Sequence, residues 1–133
     1  MDLLPFFIVG FVILDLCILA FVFWWRSKRG LSDTDLEQIL SYLHKVELET
    51  DQRQKILEMD KLLDLTLSKL GFVGTLGDKL KKAGPRFTNL DALWSAHKLR
   101  NRIAHEAGFM PSSSEVKVAF AAFRKALEDL GVR

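Results

Sequence analysis

From Asn89 to Ala107 the chain reads NLDALWSAHKLRNRIAHEA, and the reading of this stretch decides the fold. Steps of about 100° per residue place Ala92, Ala96, Leu99 and Ile103 on one narrow stripe, so the segment is an amphipathic helix that must lay this stripe on other helices. The opposite side is unusual. His97, Asn101 and His105 follow each other at four-residue spacing, with Trp94 and Ala104 beside them and Arg100 flanking, whereas a plain solvent face would favour Lys and Glu. The helix therefore carries a second contact surface built partly of polar groups.

Helix starts and stops recur on both sides of it. Thr88-Asn89-Leu90-Asp91 caps the quoted helix, and Pro111-Ser112-Ser113-Ser114-Glu115 opens a last one whose Val116, Phe120, Phe123, Leu127 and Leu130 form a stripe before Gly131. Upstream, Thr75-Leu76-Gly77-Asp78 opens a short helix that ends at Gly84-Pro85, because proline disfavours helical geometry in the residue before it. A longer helix starts near Thr50 or Asp51, carries Ile56, Met59, Leu63, Leu67 and Leu70, and closes at Gly71. It is either separate from the segment before it or one bent helix with it. Thr34-Asp35-Leu36-Glu37 fits a capping box for a first helix reaching about Glu49, with Leu36, Ile39, Leu40 and Leu43 on one stripe. No run shows the period-2 alternation of a strand. The expected fold is all-α, a four- to five-helix bundle over residues 33–131 with short connections.

The N-terminus differs in kind. Residues 3–25 contain one charged group, Asp15, and would make a helix of about 34 Å, enough to cross a hydrocarbon core of about 30 Å with some tilt. Pro5 falls in the first turn, and Trp24 and Trp25 sit at the far end, where indole rings favour the interface. A cleaved signal peptide would need a basic start and a small-residue cleavage site, whereas Asp2 is acidic and bulky aromatics end the run. Arg26, Lys28 and Arg29 follow directly, against no basic residue before the span. The positive-inside rule then predicts a single-pass protein of the cell membrane with its C-terminal domain cytoplasmic. Residues 26–32 form a short basic linker that keeps the domain close to the lipid headgroups. Asp15 lies near mid-membrane, where an ionised carboxylate costs about 2.5 to 3.5 kcal/mol on insertion scales. It reads either as a helix–helix contact in an oligomer or as a neutral acid tolerated in a very apolar helix.

Cys17, the only cysteine, lies within the span, so neither an intramolecular disulfide nor a cysteine-based metal site is available. His44, His97 and His105 lack short ligand spacing, and the glycines at 71, 74 and 77 lack a following Lys-Ser/Thr, so neither zinc nor a P-loop is expected. No metal or other cofactor is implied. Charge is divided along the soluble part: residues 31–64 hold nine acidic and four basic side chains, residues 78–102 two acidic and seven basic. The second stretch, with Lys81, Lys82, Lys98 and Arg102, is the candidate anion-binding surface; its ordinary alternative is a solvated helix face. Glu58, Asp60 and Asp64 are candidates to meet the basic helix in an ion-pair network.

Arg100-Asn101-Arg102-Ile103-Ala104-His105 resembles the Arg-polar-x3-His signature of the HEPN domain, a four- or five-helix module, and it sits late in a small helical bundle as that module requires. Leu57 to Asp64, with Trp94 to Lys98 running into the motif, is also similar to a set of small membrane-anchored bacterial proteins of unknown function. The similarity covers about residues 50–130 and leaves the anchor outside. The resemblance implies a metal-independent endoribonuclease, or an RNA-binding relative that does not cut, whose motifs meet across a homodimer cleft. His105 would be the acid/base, Arg100 the phosphate clamp, Asn101 a polar orienting group and His97 an accessory. Such chemistry is sound, since an imidazole moves protons near neutral pH and a guanidinium holds charge on phosphoryl oxygens. Implied partners are membrane lipid, a second copy, RNA, and an antitoxin or other protein partner. The alternative, from a different class, is a non-enzymatic adaptor that uses the same helix face to assemble membrane complexes.

Overall fold

The computed structural model describes residues 2–27 and 30–133; the linker residues Lys28 and Arg29 lie outside the described residues. It is all helical: α1 (Leu4–Ser27), α2 (Asp33–Glu47), α3 (Gln52–Lys69), α4 (Leu76–Ala83), a 3₁₀ turn (Gly84–Arg86), α5 (Leu90–His105) and α6 (Ser113–Asp129). No strand occurs among the described residues.

Polar caps cut the chain into these pieces. Asp51 accepts from the backbone N–H groups of Arg53 and Gln54, which makes α3 a helix separate from α2. Thr75 with Asp78, and Ser112 with Glu115, form complete capping boxes at α4 and α6, and Asn89 accepts from Ala92 N–H at α5. The first helix departs from expectation. Ser32 caps it, accepting from Asp35 N–H at 3.1 Å, so Thr34 lies inside the helix and Glu37 makes no capping box. Two capping-type patterns overlap there, and the upstream one wins because it adds two helical residues and places Asp33 and Asp35 against the positive helix start. Gly71 and Gly131 end α3 and α6 with φ of +93° and +98°.

α3 is the central helix, packing on α2, α4, α5 and α6, while α5 lies against both α3 and α6. Its Ile56, Met59, Leu62, Leu63 and Leu67 are fully buried, and Phe123 of α6 and Leu93 and Ile103 of α5 close the core around them. The buried stripe of α5 departs from expectation at its start, where Ala92 is only half-buried and lines a groove between α5 and α6. Leu93 beside it is buried, because α5 is covered on two sides rather than one. Long cations on α3 tie the ends of its neighbours: Arg53 Nη2 donates to Ile103 O of α5 at 3.1 Å, and Lys55 Nζ to Glu47 O of α2 at 3.1 Å. Each satisfies a terminal carbonyl that has no partner within its own helix.

α1 is of another kind. Leu4–Trp25 is long and apolar enough to cross a membrane, and none of it is buried. The helix runs two residues beyond Trp25 into the expected linker.

Candidate functional site

Where α3 faces α5, four polar side chains close into a ring. Asp60 sits one position from the core residue Met59, and this offset turns its carboxylate sideways toward α5 rather than into the apolar centre. It is 4 % exposed, a burial that a carboxylate tolerates only with partners. Asp60 Oδ1 lies 2.8 Å from His97 Nδ1, and Asp60 Oδ2 lies 3.1 Å from Arg100 Nε. The second contact has ion-pair distance without hydrogen-bond geometry, so the buried Nε is held by charge alone. Arg100 Nη1 donates to Asn101 Oδ1 at 3.0 Å, which turns the Asn101 amide nitrogen toward His97 Nε2, 3.5 Å away.

The ring assigns the imidazole tautomer. Asp60 can only accept, so neutral His97 carries its proton on Nδ1 and keeps its lone pair on Nε2, the atom facing Asn101. Trp94 meets the His97 ring edge-on, with centroids 6.0 Å apart, and its own ring end packs 3.8 Å from where a Cβ on Gly77 would stand. His97 is thus held on one side by a carboxylate and on another by an indole.

This ring opens into a cavity of about 410 Å³ lined by Asp60, Lys61, Asp64, His97, Arg100, Asn101 and the Gly74–Gly77 turn that starts α4. The acidic residues of α3 separate in role. Asp60 meets α5 as expected, whereas Asp64 pairs with Lys79 of α4 at 2.7 Å, and Glu58 turns to Tyr42, Gln54 and Lys61. Lys79 also donates to Ser68 Oγ at 2.7 Å; this buried cation of the basic stretch is part of the packing, not of a surface.

Of the residues singled out in the sequence, Arg100, Asn101 and His97 come together. His105 does not join them. It is exposed at the last position of α5, five residues from Arg100 and so about 140° around the helix. Lys98 and Arg102 lie on the other flank, lining an α5–α6 groove of about 510 Å³ with Ser114 and Glu115, and Arg102 stacks 4.0 Å over the Phe109 ring. Lys81 and Lys82 are exposed on α4, where Lys82 donates to Val73 O. The basic stretch is therefore divided among several faces. The residue that binds the cluster together, Asp60, is the one whose role depends on how two helices pack.

No protein-family model, curated protein or solved structure matches the chain.

Proposed function

We propose that this is a single-pass membrane protein whose cytoplasmic HEPN-like bundle binds RNA and cleaves it without a metal, in a homodimer. The observation that carries the reading is the His97 imidazole, fixed by buried Asp60, with its Nε2 met by the Asn101 amide at a long 3.5 Å and the Arg100 guanidinium beside it, in the lining of a polar cavity. Those groups answer the first half of phosphodiester cleavage. With a 2′-OH in place of the Asn101 amide, Nε2 takes the hydroxyl proton as that oxygen bonds to phosphorus, and Arg100 holds the charge that builds on the non-bridging oxygens.

The second half needs an acid on the leaving 5′-oxygen. His105 lies eight residues along α5, a rise of about 12 Å and a turn of about 80° from His97. One chain cannot apply both to one phosphate. Two α5 helices facing each other in opposite directions bring His97 of one copy to His105 of the other. Protonated His105 then gives its proton to the 5′-oxygen as the P–O bond breaks, leaving a 2′,3′-cyclic phosphate.

The test uses the full chain in lipid nanodiscs with a defined oligoribonucleotide and EDTA. Wild type cleaves, and His97→Ala and His105→Ala each slow cleavage about 100-fold or more, the usual range for a general acid or base. Co-reconstituting the two variants in one disc restores activity, because a mixed dimer holds one complete pair. Uncut RNA with wild type, or His97→Ala as fast as wild type, removes the enzyme reading. The adaptor reading has one observation in its favour: the four side chains satisfy one another, as groups that only join two helices would. It takes over if wild type leaves RNA uncut and unbound while His97→Ala loosens the fold.

A further inference from the structure

Every described residue of α1 up to Trp25 is exposed, and the helix carries one ionisable group at its middle. Ile8, Asp15 and Val22 recur at intervals of seven, and Phe11, Ile18 and Trp25 recur at seven between them. The span is apolar on every face, so Asp15 alone fixes the seam: with it at an a position, these are the a and d positions of a heptad, whose seam stays in contact along two supercoiled helices. A single polar residue at a central a position sets register and partner number. Phe6, Phe23 and Trp24 fall at f, b and c positions away from the seam, while Phe7 and Phe21 at g flank it.

We infer that α1 pairs in parallel with α1 of a second copy along the Ile8–Asp15–Val22 seam, so that the two Asp15 carboxyls meet and hydrogen-bond in the bilayer. In hydrocarbon a carboxyl has no water to turn to, and the equivalent group of an identical helix at the same depth is the partner that fixed topology guarantees. Because a-position residues of parallel helices face each other, Asp15 meets its own copy as Ile8 and Val22 do, and it is the one polar group among them. A pair sharing a proton makes an O–H···O bond that neither chain makes alone. The inference rests on α1 being a span. It also supplies the second copy that the composite His97–His105 site requires, since partners fixed in one membrane plane meet at high effective concentration.

The helix contains its own control. Cys17 lies two residues from Asp15, about 160° round the helix. In membranes carrying the full chain, wild type should give little disulfide dimer under mild oxidation. Cys17→Ser combined with Val22→Cys should cross-link several-fold more, and Cys17→Ser with Ile8→Cys likewise. Adding Asp15→Leu to the Val22→Cys protein should lower cross-linking at least several-fold, and Asp15→Asn, which can still hydrogen-bond, should keep most of it. Cross-linking equal from all positions, stronger from Cys17, or indifferent to Asp15→Leu overturns the pairing. Alkaline carbonate extraction runs in parallel: release of the protein removes the span and the pairing together, while retention without seam-specific cross-linking removes the pairing alone. RNA cleavage is scored separately, so an RNA-cleaving protein without the seam leaves the functional reading standing.

Discussion

Gly74 and Gly77 stand three residues apart at the rim of the cavity, and they are glycine for different reasons. Gly74 has φ of +107°, and a Cβ there would lie 2.9 Å from Asp78 Oδ2 and 3.0 Å from Asp78 Cβ. A side chain would meet both backbone strain and the carboxylate that completes the α4 capping box, so Gly74→Ala should cost about 1 to 3 kcal/mol. Gly77 is helical and its added Cβ meets nothing closer than 3.8 Å. Gly77→Ala should be neutral or stabilising by up to about 1 kcal/mol, as a helical glycine usually responds. Urea unfolding of the two variants checks this directly; equal effects would mean that the turn into α4 is not built as described. At the same scale, His97, Asn101 and Arg100 were legible as a polar face because their spacing is local. Asp60 was legible only as one of three candidate carboxylates, because which of them faces α5 depends on how α3 and α5 cross. Separation of Arg100 from His105 within one chain follows from the five-residue spacing itself.

At the level of elements, capping chemistry made the boundaries readable: Asp51, Thr75, Asn89 and Ser112 each start the helix expected of them, and overlapping signals misplaced only the start of α2. Less readable was the clasp that fixes α5 to α6. Asp129, near the end of α6, accepts from Thr88 backbone N–H and from Thr88 Oγ1, both at 2.9 Å, and pairs with Lys125 at 3.1 Å. Partners 41 residues apart leave no local pattern. Burial pushes the Asp129 carboxyl up, but the Thr88 hydrogen bonds and Lys125 outweigh it and hold the group below its ordinary 3.8. The capping carboxylates Asp78 and Glu115 are likewise lowered, by hydrogen bonds from Thr75 and Ser112 respectively. A carboxylate lowered in the folded state adds stability above its unfolded value and loses it as pH falls through the folded one. The unfolding midpoint should therefore hold steady from neutral pH to about pH 4.5 and decline below about pH 4. Thr88→Val should cost about 0.5 to 1.5 kcal/mol at pH 7 and progressively less at lower pH as Asp129 takes up a proton. Urea midpoints of both proteins at several pH values test this, and a constant difference down to pH 2 would show that the clasp is not charge-assisted.

For the whole molecule, the sequence pattern indicated one long apolar helix followed by a helical bundle, and both are present. What the linear charge count concealed is where the cations go. Lys79 and Arg100 turn inward to Asp64 and Asp60, Arg102 covers Phe109, and Lys98 lines the far groove, so the basic stretch does not form one continuous surface. The α3–α5 cavity is where an imidazole, a guanidinium and an amide converge. RNA should be recognised there through one phosphodiester rather than along a broad basic patch, which predicts a shallow dependence of affinity on salt. The most direct measurement is amide and histidine chemical-shift mapping of the full chain in nanodiscs, titrated with a 2′-deoxy-blocked oligonucleotide that binds but cannot be cut. The account predicts saturable shifts at Asp60, His97, Arg100, Asn101 and Gly77. Shifts confined to Lys98, Arg102 and Ser114 in the α5–α6 groove, or no shift at all, would contradict it.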